Sequence, residues 1–228
     1  LVDSLLIRNA DNALLQCFKK GKGKVEVPGV IERIGHLAFG GAKHISTIII
    51  PKSVTRIGED AFASTYALDS IAVNTENTHY TSQAGVLFNK ELTLLICHPA
   101  SKPGNSYTVP TTVKELATGA FQDCGGGNAY KHISNKTLKK KVKLNKVILP
   151  EGLIKIGKWA FTSSGCQVNI PSTVKEIGDS CFFFSEIESV TIPEGVKRLG
   201  DGMFTACYTL ENITLPSTLE YNTQCLCH

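Results

Sequence analysis

The sequence has no apolar run near the roughly 18 residues that cross a bilayer as a helix, so no segment of it spans a membrane. It has little charge excess. Its 24 Lys and Arg against 20 Asp and Glu leave +4 over 228 residues, too weak a balance to argue for nucleic acid. Cysteine is sparse at 8 residues, well below the density of a domain built on disulfides. The even count permits pairing without requiring it. HExxH, GxSxG, a Walker loop and a GxGxxG opening a helix are all missing, and with them the common catalytic signatures. What is there, 42% apolar and 19% charged residues, excludes wholesale disorder and permits a buried core of one to two domains. The chain starts at Leu1, and its first residues include Asp3, Arg8, Asn9, Asp11 and Asn12, which is no signal-peptide core. The N-terminus reads as processed or trimmed, with any targeting signal or anchor expected outside this sequence.

An internal period dominates the chain. Pro28, Pro51, Pro110, Pro150, Pro171, Pro193 and Pro216 each end an apolar strand-like run. Their separations are 23, 59, 40, 21, 22 and 23, of which four are one unit of 21–23 residues. Six of these prolines are followed by one pattern: VIERIGHLAF, VTRIGEDAF, VKELATGAF, LIKIGKWAF, VKEIGDSCF and VKRLGDGMF. Alternating runs such as ISTIII, LDSIAV, LNKVIL, IESVTI and LENITL then close each coil, with GCQVNI as the divergent copy.

The unit has a physical logic. One such strand cannot bury its own apolar face. Stacking the next copy about 4.8 Å away pairs the backbones and aligns like side chains. Proline after the strand cannot donate a hydrogen bond and stops the pairing at the corner. Gly35, Gly58, Gly157, Gly178 and Gly200 imply a tight bend or a crowded backbone, and Ala117 at the same place argues against a strictly positive φ. The xAF element reads as one helical turn whose aromatic plugs the core. The expected fold is an α/β, strand-rich, right-handed leucine-rich-repeat solenoid of about six to seven coils, with Phe39, Phe62, Phe121, Phe161, Phe182 and Phe204 in one buried column.

These residues resemble the BspA-like leucine-rich repeat family, whose IP-x-x-V-x-x-I-G-x-x-A-F pattern is matched over roughly residues 27–219. The last unit keeps Pro216 and Leu219 but loses the Gly and the Phe, as a degenerate cap or a cut repeat. Two interruptions follow from the spacing. Around residues 74–109 two apolar runs flank Asn89, Lys90 and Glu91 and predict an inserted β-hairpin. A faded copy of it precedes Pro28, with Leu14, Leu15 and Cys17 aligned on Leu94, Leu95 and Cys97. Residues 125–143 predict a Lys-rich surface loop. The expected organisation is therefore a hairpin-like cap over 1–26 and a solenoid over 27–228.

Chemistry is thin. The histidines at 36, 44, 79, 98, 132 and 228 show no metal or triad spacing, so surface or capping roles are expected. Cys225, Cys227 and His228 offer three metal-capable groups but lack the ligand count and spacing of a structural zinc site. Cys124, Cys166, Cys181 and Cys207 fall beside the Phe element and read as buried packing thiols, with an occasional disulfide as the rival. No metal and no cofactor is expected. One local charge anomaly stands out: Lys131, Lys136, Lys139, Lys140, Lys141, Lys143 and Lys146, with no acid among them. Such a patch attracts polyanions, although a solvated loop explains it as well. Tyr130 alone offers stacking there, which disfavours nucleic acid. Asn135 and Asn212 open N-x-T sequons that have meaning only in a eukaryotic secretory protein.

A solenoid presents an extended face rather than a pocket. The third and fifth positions of each strand run point away from the core. They form one ladder: Thr47 and Ile49, Ser70 and Ala72, Lys146 and Ile148, Gln167 and Asn169, Ser189 and Thr191, Asn212 and Thr214. The family resemblance implies a secreted or cell-surface protein that adheres to an extracellular protein or glycan without catalysing a reaction. The alternative is a structural spacer with no ligand of its own.

Overall fold

A computed structural model describes residues 4–126 and 144–220. The described chain is strand-rich, and its only helical turn is the short 3-10 element Cys124–Gly126. Strands are numbered in chain order. A typical coil lays a longer strand on one face, turns at proline, lays a two-residue strand on a second face, passes a glycine, and returns through the xAF turn; the coil after Pro193 has no two-residue strand, and the coil after Pro110 has Ala117 in place of the glycine.

Eight long strands stack on the first face: β3 (Gly23–Glu26), β5 (Ile45–Ile50), β7 (Ser70–Val73), β11 (Ser106–Thr108), β13 (Lys146–Ile148), β15 (Gln167–Asn169), β17 (Ser189–Thr191) and β18 (Asn212–Thr214). They pair in parallel as β3-β5-β7, β11-β13-β15 and β17-β18. The count exceeds the number of PxxV coils before the last because each hairpin unit also contributes a rung, β3 from the first and β11 from the second. The second face carries β4 (Arg33–Ile34), β6 (Arg56–Ile57), β12 (Glu115–Leu116), β14 (Lys155–Ile156) and β16 (Glu176–Ile177). The hairpin of β1 (Leu5–Arg8) and β2 (Ala13–Cys17) precedes them. An antiparallel meander of β8 (Tyr80–Gln83), β9 (Val86–Asn89) and β10 (Leu94–Cys97) sits between β6 and β12. The β9–β10 turn falls at Asn89, Lys90 and Glu91, where the sequence places it, and β8 extends the hairpin to three strands.

The proline corner is a turn as well as a stop. Each proline carbonyl accepts the N–H of the apolar residue three positions on, from Ile31 onto Pro28 at 2.9 Å to Leu219 onto Pro216 at 3.4 Å. That geometry is what the P-x-x-V spacing encodes. The glycines answer to crowding, not to conformation. A Cβ at Gly58, Gly157, Gly178 or Gly200 would lie 2.4–2.6 Å from backbone atoms of the coil below, and none of the four has positive φ. Ala117 is tolerated because the rung beneath it is β10, which continues into His98 instead of a glycine turn.

The xAF segments are not the helical turn that the sequence suggests. Each is bounded by two left-handed residues, two positions before and two after the Phe: Leu37 and Gly41, Asp60 and Ser64, Gly119 and Asp123, Trp159 and Ser163, Ser180 and Phe184, Gly202 and Ala206. Between these corners the chain makes consecutive tight turns, as in Thr162 N–H to the Trp159 carbonyl at 3.0 Å, and it also hydrogen-bonds coil to coil, as in Phe161 N–H to the Cys181 carbonyl at 2.8 Å. The turn is therefore a third, irregular ladder.

All six phenylalanines are buried, but as two stacks and not one column. Phe39 lies on Phe62 at 5.7 Å, and Phe121, Phe161, Phe182 and Phe204 follow one another at 5.2–5.7 Å. The meander separates them. Strand β9 is buried on both sides, sending Val86 and Phe88 into the C-terminal core and Leu87 into the N-terminal one. Period-two alternation thus lets one strand wall off two cores.

Candidate binding surface

On the long-strand face the ladder residues face outward and stand in register. Thr47 pairs Ser70, Ile49 pairs Ala72, Lys146 pairs Gln167, Ile148 pairs Asn169, Ser189 pairs Asn212 and Thr191 pairs Thr214. The inward neighbours Ile48, Ile71, Val147, Val168 and Val190 are buried. The hairpin rungs add residues that the repeat pattern alone does not reveal. Ser106 and Thr108 of β11 align with Lys146 and Ile148, and Lys24 and Glu26 of β3 align with Thr47 and Ile49.

The ladder has two seams. Between β7 and β11 the tip of the β8–β9 hairpin intervenes, with the Ile71 N–H on the Gly85 carbonyl at 2.9 Å and the Val73 N–H on Ser82 Oγ at 3.1 Å. Gly85 is required there, since a Cβ would meet Ser70 Oγ at 2.7 Å and φ is +83°. Between β15 and β17 the Gln167 amide bridges the strands. It donates to the Glu186 carbonyl at 3.0 Å and accepts the Glu188 N–H at 3.2 Å. Gln167 is thus a clamp within the face. Lys131, Lys136, Lys139, Lys140, Lys141 and Lys143 lie outside the described residues, as do Cys225, Cys227 and His228.

The short-strand side carries a concavity that the sequence reading did not foresee. A groove of about 1290 Å³ runs beside β12, β14 and β16, with Ile57, His98 and Asp201 among its lining residues. Its charges alternate and pair: Glu115, Lys155 and Glu176 align across three strands, Lys155 meets Glu176 at 3.2 Å, and Lys158 meets Asp179 at 3.4 Å. Where the meander removes one Phe turn, Asp123 and Asp60 fill the gap. Burial pushes the Asp123 carboxyl up to about 7, against the opposing Ser64 N–H, and holds Asp60 above its ordinary value against His36. Both aspartates line the groove, and Asp123 Oδ2 and Asp60 Oδ1 are buried with no hydrogen-bond partner.

His98 departs from the expected surface role. It is buried, stacks on Phe121 at 5.2 Å, and lies 3.4 Å from Cys124 Sγ through Nδ1. Cys17, Cys97, Cys124, Cys166 and Cys181 are buried free thiols, while Cys207 is half-buried. Burial raises every one of them, Cys97 and Cys166 to about 12. Among the described residues no three His, Cys, Asp or Glu side chains converge as a metal would need, and no helix is long and apolar enough to cross a membrane.

A stack of parallel short strands joined by proline corners, glycine contacts and phenylalanine plugs defines a leucine-rich-repeat solenoid. The sequence matches the BspA type leucine rich repeat region in six copies over residues 15–93 and 131–227, and the chain belongs to that family. Solved structures agree. A leucine-rich repeat protein of Eubacterium ventriosum is 26% identical with a TM-score of 0.67, over 88% of this chain and 56% of its own. A leucine rich cell surface protein of Faecalibacterium prausnitzii is 25% identical with a TM-score of 0.59, over 82% and 52%. The pneumococcal vaccine antigen PcpA, at 23% identity and a TM-score of 0.62 over 90% and 60%, supports the fold alone. The chain thus spans little more than half the length of these proteins. No curated protein matches it. The family is one of repeat surface proteins, typically interaction modules and not enzymes.

Proposed function

We propose that this chain is a non-enzymatic binding module of a secreted or cell-surface bacterial protein, and that it adheres to an extracellular protein or glycan through its long-strand face. The observation that carries the reading is the in-register ladder of short outward side chains on the rungs from Thr47 to Thr214. Mostly short polar or aliphatic side chains on a rigid backbone leave a flat surface with little side-chain entropy to lose on contact. Such a face suits contact spread over several rungs, which a solenoid provides. Membership of a surface-protein family and likeness to a protein described as a cell surface protein support the location.

The test is surface plasmon resonance of the chain against extracellular-matrix proteins and glycans, with Ser189→Arg and Thr191→Arg as face-blocking variants. Binding that both variants abolish supports the reading. A chain that binds no member of the panel is a structural spacer instead.

A further inference from the structure

Residues 18–24 read Phe-Lys-Lys-Gly-Lys-Gly-Lys, a run of four lysines in six positions that the repeat pattern does not require. It joins β2 to β3, and the fold turns it back against the next coil. The Cys17 N–H donates to the Ala38 carbonyl at 2.7 Å, the Gly23 N–H to the His44 carbonyl at 3.3 Å, and Lys19 Nζ reaches the Lys24 carbonyl. Between the two segments lies a cleft of about 290 Å³ lined by residues 16–20 and 40–44. Lys19, Lys20, Lys43 and His44 line it, and no acidic residue does. Lys22 and Lys24 stand exposed beside it. Glu26 pairs with Lys24, but among the described residues no carboxylate pairs with Lys20, Lys22 or Lys43. Phe18 lines the same cleft and leaves 52% of its surface exposed.

Like charges gathered without counter-charges cost self-repulsion, which an anionic ligand relieves. The cleft is small and has one aromatic face. A nucleic-acid strand would need a succession of stacking platforms, and a lipid surface would need a broad apolar wedge. An acidic sugar fits better, with its anionic oxygens on the lysines and its ring against Phe18. We infer that the Lys19–Lys20–Lys43 cleft at the N-terminal end binds an acidic glycan, the sulfate or carboxylate substituents meeting the lysines. This deepens the proposed surface-binding role, rests on it, and places a second contact beyond the N-terminal rung of the ladder, centred on Lys19, Lys20 and Lys43.

The test uses the full chain over immobilised heparin, with hyaluronan, a single-stranded DNA oligonucleotide and anionic phosphatidylserine vesicles as parallel arms. Heparin binding is expected, with association slowed steeply as salt rises from about 0.15 M to about 1 M. Hyaluronan binding equal to that of heparin assigns the contact to carboxylates, and preference for heparin assigns it to sulfates. The triple variant Lys19→Ser, Lys20→Ser, Lys43→Ser should associate about tenfold more slowly or worse, while its melting curve stays that of the parent. Phe18→Ser should speed dissociation and leave the salt dependence alone. The Ser189→Arg variant should bind heparin normally, so a failure of the cleft and a failure of the ladder are read separately. Absence of binding to both glycans, unchanged binding by the triple variant, greater loss on changing Lys139, Lys140 and Lys141 to Ser, or DNA or vesicles bound as tightly as heparin would each overturn the inference.

Discussion

The imidazole of His98 stacks on Phe121 with ring centroids 5.2 Å apart, in the rung where the coils beyond it place Phe161, Phe182 and Phe204. A titratable ring therefore stands in for an apolar plug. Burial, with Lys102 adding to it, pushes His98 down to about 3. Two residues beyond Phe121, Asp123 is pushed up to about 7 by burial.

The two shifts oppose each other in how stability changes with pH. Unfolded His binds a proton below about 6.5 while folded His98 stays neutral, so His98 destabilises the fold as pH falls from there. Folded Asp123 keeps its proton up to about 7 while the unfolded carboxyl loses it near 3.9, so Asp123 destabilises the fold as pH rises through that window. At pH about 5 both destabilise the fold, each by on the order of 2 kcal/mol, but their slopes with pH, about 1.4 kcal/mol per unit each, have opposite sign. The pH dependences of these two groups should therefore nearly cancel between pH about 4.5 and about 6.5. Asp123→Asn should leave a melting temperature that falls on acidification, and His98→Gln one that rises. Parallel profiles for the three proteins would refute the pairing.

The glycine contacts predict a position-specific cost. Gly178→Ala would place a Cβ 2.5 Å from the Lys158 backbone nitrogen, and the coils must separate to admit it. A loss of about 1–3 kcal/mol is expected in urea unfolding. Gly21→Ala meets nothing within 4 Å and should change stability by less than about 0.5 kcal/mol. Equal effects at the two sites would mean that the glycines serve flexibility and not close approach.

The left-handed corners predict a gain. Ser163 sits at φ 55° two residues after its Phe, where Gly41 serves the equivalent corner in the first coil. Ser163→Gly relieves backbone strain of about 1–2 kcal/mol and gives back part of it in unfolded-chain entropy. A net stabilisation of about 0.5–1 kcal/mol should appear in the same assay. Destabilisation would show that the Ser163 side chain makes a contact worth more than the strain.

Burial orders the thiols. Cys124, Cys166 and Cys181 are sealed and held well above the ordinary thiol range, while Cys207 is half-exposed. In native conditions Cys207 should label first among the described cysteines, and the other three only on unfolding. Peptide mapping after timed alkylation resolves each site. Rapid native labelling of Cys181 would contradict the packing role.

Much of this molecule was legible in its period. Pro28 through Pro216 marked the corners, the xAF aromatics marked the plugs, and alternation within ISTIII separated Ile48 from Thr47. Three features escaped for physical reasons. The paired left-handed corners fall on Leu37, Asp60, Trp159 and Ser180, none of which advertises positive φ as glycine does. His98 entered the Phe stack through the meander, whose sequence has lost the xAF spacing. The basic cleft joins Lys20 to Lys43 across coils, a proximity that only the return of the chain at Gly23 creates. Gln167 was visible as a ladder residue, but its amide bridge across the β15–β17 seam depended on a pairing defect no repeat count reveals.

The central claim is that contact falls on the long-strand face. Surface plasmon resonance against the ligand returned by the panel, at low and high salt, tests it most directly. Asn169→Ala should weaken binding by about 1 kcal/mol or less, because contact is spread over many short side chains. Ser189→Arg should weaken it far more by standing between the face and its ligand, while Lys155→Glu on the opposite face should leave it unchanged. Neutralising Lys139, Lys140 and Lys141 should slow association and flatten its salt dependence with little change in the off-rate. If the ladder variants bind as the parent does and the lysine variants lose all binding, the face is scaffold and the Lys-rich segment is the site.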